Sequence, residues 1–155
     1  MLKAALLILA CAAVAGAQTA TTPSVEILTP AMLRSIADTM PHAASRTAQL
    51  GRGAGYTYAL TQRDSAGGEE SHMAWTDVFV IQSGGASLLY GGTADGAKET
   101  TPGEWRGGII RGGTTRALHP GDVVVIPAGV PHQMLLERGQ RVAYLAFKVA
   151  APSAK

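Results

Sequence analysis

The sequence is poor in cysteine, aromatic residues and charge, and each shortage excludes a class of protein. It has one cysteine, 5% aromatic residues and 15% charged residues. A single cysteine excludes a scaffold held together by internal disulfides. No segment is dominated by Lys and Arg, so the net charge of +2 provides no surface for nucleic acid. No apolar run reaches the roughly 20 residues that a transmembrane helix needs.

What the sequence does contain indicates one globular domain with many turns. Hydrophobic residues make up 46% of the 155 positions and glycine occurs 19 times. That length accommodates one hydrophobic core and is too short for two ordinary domains. Helical bundles rarely use so much glycine, so the composition favours strands joined by tight turns.

The first residues, MLKAALLILACAAVAGAQ, read as a secretory signal peptide over residues 1–17. Lys3 precedes a short apolar run, and Ala15-Gly16-Ala17 forms a cleavage site of the A-x-A type. We therefore expect export to the periplasm or the extracellular space after cleavage near Ala17, with no membrane association of the mature chain. The alternative, a lipoprotein signal that anchors the chain through Cys11, is less favoured because the apolar run before Cys11 is short.

The rest of the chain divides into an extension with one helix, residues 18–50, a barrel, residues 51–150, and a disordered tail, residues 151–155. Thr29 as N-cap and Pro30 at the first helical position predict a helix over residues 30–40. Short apolar or alternating runs then predict strands and an antiparallel all-β sandwich or small barrel. These runs cover residues 57–62, 77–83, 86–92, 106–112, 122–128, 132–137 and 141–149. Residues 93–103 read as a polar loop.

The stretch GDVVVIPAGVPH, residues 121–132, resembles the second motif of the cupin family, G-x5-P-x-G-x2-H-x3-N. Gly121, Pro127, Gly129 and His132 match the motif in identity and spacing, and Leu136 stands where the motif has Asn. Pro127 and Gly129 break a buried strand in a short bend, and His132 opens the next strand.

The stretch from Glu70 to Gly84 resembles the first cupin motif, G-x5-H-x-H-x3,4-E-x6-G, in a degenerate form. Reading back from Gly84, Asp77 takes the place of the motif's Glu, His72 that of the second His, and Glu70 that of the first. The leading glycine is absent. The resemblance implies a small cupin: an antiparallel double-stranded β-helix, or jelly-roll barrel, with a divalent metal ion inside.

Strand geometry supports the same candidate metal ligands. Residues i and i+2 of a strand share a face, so Glu70 and His72 both reach one lumen, where His132 arrives from another strand. Two imidazoles and a carboxylate suit iron, manganese, copper, nickel or zinc. Asp77 is the weakest candidate because it is shorter than Glu; it is alternatively an acceptor that orients His72 through its other ring nitrogen.

For several other residues the sequence allows a structural interpretation as well as a functional one. The acidic pair Glu69 and Glu70 is typical of a solvated loop. Trp75 is a packing or rim aromatic residue, or a substrate-pocket residue. An apolar lumen is predicted from Val78, Val80, Val123, Val125, Leu135 and Tyr144.

We expect a metal-dependent oxidoreductase of the dioxygenase type that acts on a small molecule. A redox-inactive metal would instead serve an isomerase, lyase or hydrolase, with Glu70 or Asp77 as the catalytic base. A non-catalytic cupin that binds a small ligand or a metal is the third hypothesis, and it predicts acids turned outward or paired with Arg106, Arg111 or Arg116. With no disulfide to stabilise it, the chain is also expected to form a homodimer through edge strands.

Overall fold

The computed structural model describes residues 25–152. The predicted signal peptide, its cleavage site near Ala17, the alternative anchor Cys11 and residues 153–155 of the predicted tail lie outside the described residues. Within residues 25–152, no helix is long and apolar enough to cross a membrane.

The described chain forms one helix and thirteen strands. The helix is α1 (Pro30–Thr39). The strands are β1 (Ser45–Gly53), β2 (Tyr56–Arg63), β3 (Glu70–His72), β4 (Trp75–Gly84), β5 (Ala86–Tyr90), β6 (Thr93–Asp95), β7 (Lys98–Thr101), β8 (Glu104–Arg106), β9 (Ile109–Arg111), β10 (Thr114–Leu118), β11 (Val123–Ile126), β12 (His132–Leu135) and β13 (Val142–Ala150).

The strands build an antiparallel jelly-roll barrel, as the sequence predicts. One sheet has the order β1-β2-β13-β4-β11, and the facing sheet has the order β10-β5-β12-β3-β8-β7. A small separate sheet pairs β6 with β9. All paired strands run antiparallel, which short turns between consecutive strands permit.

The excursion between β5 and β10 differs from the sequence-based expectation. The predicted polar loop over residues 93–103 contains the strands β6 and β7, and the single strand predicted over residues 106–112 is split into β8 and β9. The split follows from Gly107, whose φ of 79° turns the chain between the two strands. Strand β1, which was not among the predicted strands, forms the edge of the five-stranded sheet.

Helix α1 packs on the outer face of the five-stranded sheet. The Thr29 side chain accepts a hydrogen bond from the backbone N–H of Met32 at 3.3 Å, so it caps the helix as the sequence indicates. Leu33 is buried against Leu60 of β2 and Leu145 of β13. The helix therefore closes a second, smaller hydrophobic layer outside the barrel and leaves the lumen free.

The lumen is formed by different residues of β4 and β11 than the sequence suggests. Phe79 and Ile81 of β4 and Ile126 of β11 are buried in the main core. Val123 and Val125 are 62% and 60% exposed, and Val80 packs toward α1. The prediction of an inward Val78, Val80, Val123 and Val125 is wrong because runs such as VFVI and VVVI contain no polar residue to mark the outer face.

The bend of the second cupin motif is tied directly to the first. Gly129 has a φ of 80°, which favours glycine, and its N–H donates a hydrogen bond to the His72 carbonyl at 2.9 Å. This bond fixes the loop before β12 against strand β3. It therefore sets how His132 approaches His72.

Candidate metal centre

Three predicted ligands converge inside the barrel. Strand β12 pairs with β3 in a register that sets His132 opposite Glu70, and His72 lies on the same face of β3 as Glu70. One donor atom from each of Glu70, His72 and His132 lies within 4.8 Å of the other two. Both histidines are only 2–3% exposed. We call these three residues the histidine–glutamate cluster.

The separations within the cluster suit a shared metal ion. His72 Nε2 lies 3.8 Å from Glu70 Oε2, and His132 Nε2 lies 3.7 Å from Glu70 Oε1. Donor atoms around a metal with bonds of about 2.1 Å are roughly 3.0–3.4 Å apart, so the cluster needs only a small contraction. The donor set, two imidazoles and one carboxylate, is that of the open sites used by several transition metals.

The ring nitrogens that face away from the cluster are engaged elsewhere. His72 Nδ1 lies 2.6 Å from Glu104 Oε2, and His132 Nδ1 lies 3.0 Å from the Val130 carbonyl oxygen. Both partners are acceptors, so each Nδ1 carries a proton and donates it. Such outer contacts fix ring orientation and leave Nε2 as the atom available to a metal ion.

His132 Nε2 gives an independent indication of a cation. It is buried and, among the described residues, has no hydrogen-bond partner. Because Nδ1 holds the proton of the neutral ring, the Nε2 lone pair points toward carboxylate oxygens of Glu70 and Asp77 at 3.7 and 3.4 Å. A lone pair that faces two carboxylates is unfavourable unless a proton or a metal ion lies between them.

Asp77 occupies a position that the sequence did not resolve. Its Oδ2 lies 3.3 Å from His72 Nε2 and 3.4 Å from His132 Nε2, while its Oδ1 accepts a hydrogen bond from Lys148 Nζ at 3.0 Å. Asp77 therefore faces the same ring nitrogen of His72 as Glu70 does. The alternative role of orienting His72 through its other nitrogen belongs to Glu104.

The acids around the cluster are neutralised by cations on β8 and β13. Arg106 Nη1 is paired with Glu70 Oε2, and Arg106 Nη2 lies 3.4 Å from Glu104 Oε2. Glu104 and Arg106 share one face of β8, which pairs with β3. This short strand therefore supplies both the acceptor for His72 and the cation for Glu70.

The pKa values of the cluster residues follow from these neighbours. Burial opposes ionisation of Asp77, but the two imidazoles and Lys148 outweigh it and hold the pKa of this carboxyl well below its usual range. The same balance lowers the pKa of Glu70, where His132 and Arg106 prevail over burial. Burial works against a charged His72, yet contacts with Asp77 raise the pKa of its imidazole. The site therefore keeps carboxylates ionised and attracts a positive charge.

A cavity of about 230 Å³ lies beside the cluster and includes Glu70 and Asp77 in its wall. Its other lining residues come from the inward faces of β1, β2, β4 and β13. They are Ser45, Thr47, Gln49, Thr57, Ala59, Thr61, Arg63, Phe79, Tyr144, Ala146 and Lys148. Trp75, the substrate-pocket candidate, begins β4 two residues before Asp77 and is not among these lining residues.

Several residues of the site escaped the sequence-based reasoning. Glu104 and Lys148 belong to no motif, and only their strand pairing brings them to His72 and Asp77. Glu69, which reads as a solvated acid, is 2% exposed and accepts a hydrogen bond from the Gly108 N–H at 2.8 Å. It anchors the turn between β8 and β9 against the start of β3.

Comparisons with known proteins identify the fold. No protein-family model and no curated protein sequence matches this chain. Among solved structures, protein NMB1881 from Neisseria meningitidis has 12% sequence identity and a TM-score of 0.53, over 76% of this chain and 95% of that chain. The cupin domain of Cnp3 from Schizosaccharomyces pombe has 9% identity and a TM-score of 0.55, over 74% and 72% of the two chains.

A third similar structure is KdgF from a Halomonas species, with 12% identity and a TM-score of 0.51 over 72% of this chain and 84% of that chain. These likenesses define the chain as a small cupin-fold protein. It carries a buried cluster of two histidines and a glutamate that is consistent with a metal site.

Glu104 gives the first test of the centre. We expect Glu104→Gln to lower metal affinity by about 10–100-fold, because the carboxylate that fixes His72 becomes a neutral amide. The measurement is metal affinity by competition with a coloured chelator. Glu99→Gln is a matched control, because Glu99 lies on the neighbouring strand β7 and bonds only the Gly103 N–H among the described residues. Equal affinities for the two variants would contradict the role of Glu104.

Proposed function

We propose that this protein is an exported small cupin that holds a divalent metal ion on Glu70, His72 and His132 and acts as a dioxygenase-type oxidoreductase on a small molecule. One observation carries the proposal. Two buried imidazoles present Nε2 toward a carboxylate beside a cavity, while both Nδ1 atoms are held by other acceptors. Three protein ligands leave coordination positions open for reactants.

When bound there, iron, manganese or copper supplies one-electron redox chemistry and Lewis acidity, whereas zinc or nickel fits the same donors. The choice of oxidoreductase rests on this donor set, which is typical of non-haem iron oxygenases. Export is proposed from the leader sequence over residues 1–17.

The chain's own residues would hold the reactants and move protons. Glu104 and the Val130 carbonyl keep both imidazoles in the tautomer that leaves Nε2 available. Asp77, which is buried, and Lys148, which is partly exposed, form an ion pair in the cavity wall, where the Asp77 carboxylate accepts a proton or the Lys148 ammonium donates one. Phe79 and Tyr144 also line the cavity, where their rings pack with centroids 4.9 Å apart and supply an apolar part of the wall.

A non-catalytic cupin that binds a ligand or a metal is the second candidate, and a specific observation favours it. Glu70 is paired with Arg106, as this hypothesis predicts, and Asp77 is paired with Lys148, a cation that the hypothesis did not name. Each pairing lowers the negative charge available to a metal ion. Tight metal binding with no oxidation of any small molecule would support this candidate, whereas a redox-inactive bound metal would favour isomerase, lyase or hydrolase chemistry with Asp77 as base.

The test of the proposed function begins with the full chain expressed in a host that exports it. Mass spectrometry of the purified protein checks for an N-terminus at Gln18, and elemental analysis measures metal per protomer. We expect close to one divalent ion per protomer, and a change of its spectrum on reaction with dioxygen or peroxide. Protein without metal, which also takes up none of iron, manganese, copper, nickel or zinc, would refute the proposal.

The two acids at the centre are distinguished by isosteric replacements. We expect Glu70→Gln to lower metal affinity by more than about 100-fold, because a charged direct ligand is lost, and Asp77→Asn to lower it by less than about tenfold. Chelator competition measures both variants under the same conditions. The opposite order would make Asp77 the third ligand and Glu70 a partner of Arg106 alone.

We also propose that the protein forms a homodimer through β11. This strand pairs only with β4, so its other edge is open among the described residues, and it exposes Val123 and Val125. Light scattering after size exclusion should give the mass of a dimer, and Val125→Lys should shift it to a monomer. Val149→Lys, on the exposed end of β13, is the control that should remain dimeric.

A further inference from the structure

We infer that the cavity beside the metal centre binds a small polyhydroxylated carboxylate, with Arg63 as the residue that receives the carboxylate group. This inference rests on the proposed function in that it concerns the substrate of the same site. It is carried by the lining of the cavity and by the unmatched charge of Arg63.

The inward faces of β1 and β2 are polar where a barrel lumen is ordinarily apolar. Thr47 of β1 and Thr61 of β2 point into the cavity, with their hydroxyl oxygens 3.1 Å apart, and Ser45 and Thr57 line it beside them. Thr61 is buried, whereas Thr47 is exposed, so this wall presents hydroxyl groups to a cavity that reaches the surface. A row of hydroxyls along one wall therefore favours a ligand that is itself rich in hydroxyl groups.

Arg63 ends β2 in the same wall and is only partly exposed. Its Nε donates to the Tyr144 hydroxyl at 3.1 Å, and this neutral group is its only hydrogen-bond partner within residues 25–152. The other charged groups near the cavity are paired: Lys148 with Asp77, and Arg106 with Glu70 and Glu104. Arg63 therefore carries a positive charge that is not paired with a carboxylate within residues 25–152.

A guanidinium group with both terminal nitrogens available matches a carboxylate, which it binds through two parallel hydrogen bonds. Tyr144 holds the Nε side of Arg63, and the terminal nitrogens, which lie beside Gly67, have no hydrogen-bond partner within residues 25–152. Arg106 and Lys148 already pair with Glu70 and Asp77, so these acids do not offset the charge of Arg63. Both features favour an anion over a neutral sugar or a phenol.

The test uses D-gluconate as probe and D-sorbitol as its neutral counterpart, since the two differ at the carboxylate carbon alone. Isothermal titration calorimetry on metal-loaded wild-type protein should show gluconate binding and at least about tenfold weaker sorbitol binding, as loss of a charged hydrogen bond requires. Arg63→Gln should weaken gluconate binding by about tenfold or more. Arg46→Gln, the same change on the outward face of β1, should not alter it.

A Tyr144→Phe variant, the metal content of every variant and the binding of inorganic phosphate provide further tests. Tyr144→Phe, which removes the partner of Arg63 Nε, should weaken gluconate binding even if Arg63→Gln does not fold. Metal content is measured on every variant, because it separates the carboxylate-binding cavity from the proposed metal-dependent reaction. Gluconate binding that depends on Arg63, in protein that takes up no metal, would support the carboxylate site and refute the metal-dependent reaction. Equal binding of sorbitol, tighter binding of inorganic phosphate, or gluconate binding that Arg63→Gln leaves intact would overturn the inference.

Discussion

Replacing His72 or His132 by alanine is expected to reduce bound metal from about one ion per protomer to a trace in either variant. Each imidazole supplies one of only three protein ligands in the histidine–glutamate cluster. Loss of an outer contact alone weakens metal binding by about 10–100-fold, and loss of a direct ligand costs more. The measurement is elemental analysis after dialysis against a weak chelator.

His119→Ala is the matched control for these variants. His119 lies in the exposed turn before β11, where its Nδ1 is 3.7 Å from Asp122 Oδ2, and it does not belong to the histidine–glutamate cluster. Its replacement should leave the metal content unchanged. Metal retained in full by both His72→Ala and His132→Ala would show that the bound ion sits elsewhere, and the assignment of the centre would be wrong.

The second cupin motif could be interpreted from sequence because its residues act locally. Pro127 stops β11, Gly129 adopts a conformation that favours glycine, and His132 begins β12 facing inward. Each of these effects depends on a few neighbouring residues. The fold class and the two histidines were therefore within reach of sequence-based reasoning.

The partners of those histidines were not predictable because they depend on strand pairing over long separations. Glu104 meets His72 from a strand 32 residues away, and Lys148 meets Asp77 across 71 residues. No motif or local sequence pattern around Glu104 or Lys148 indicates that either residue belongs to the site. Arg63 likewise acquires its significance only through Tyr144, 81 residues later, whose hydroxyl accepts a hydrogen bond from Arg63 Nε.

The alternation of side chains along β4 is a feature of the sequence that predicts which face of this strand is buried. If Asp77 faces the lumen, Phe79 must face it as well, because residues two apart share a face. An inward Asp77 and an inward Val78 are therefore incompatible. The structure keeps Asp77, Phe79 and Ile81 buried on one side, so an inward Asp77, as a candidate ligand, also predicts the buried face of β4.

Gly84 is a position where a small substitution should have a large effect on stability. It closes the first cupin motif at the end of β4, and its φ is 73°. A Cβ atom added there would lie 1.9 Å from the Arg141 carbonyl oxygen, which belongs to the backbone before β13. We expect Gly84→Ala to lower the free energy of unfolding by about 3 kcal/mol, from backbone strain and overpacking together.

Gly85→Ala provides the comparison for Gly84→Ala one residue further on. Gly85 does not have a positive φ, and its added Cβ would meet only the Leu118 carbonyl oxygen at an ordinary 3.6 Å. Its replacement should change the free energy of unfolding by about 1 kcal/mol or less. Urea denaturation measures both variants. Metal content per folded protomer should stay at the wild-type level in Gly84→Ala, because the strain lies at the C-terminal end of β4, whereas Asp77 lies near the start of the strand. Equal stability of the two variants would mean that the motif's last glycine is not needed for its backbone conformation.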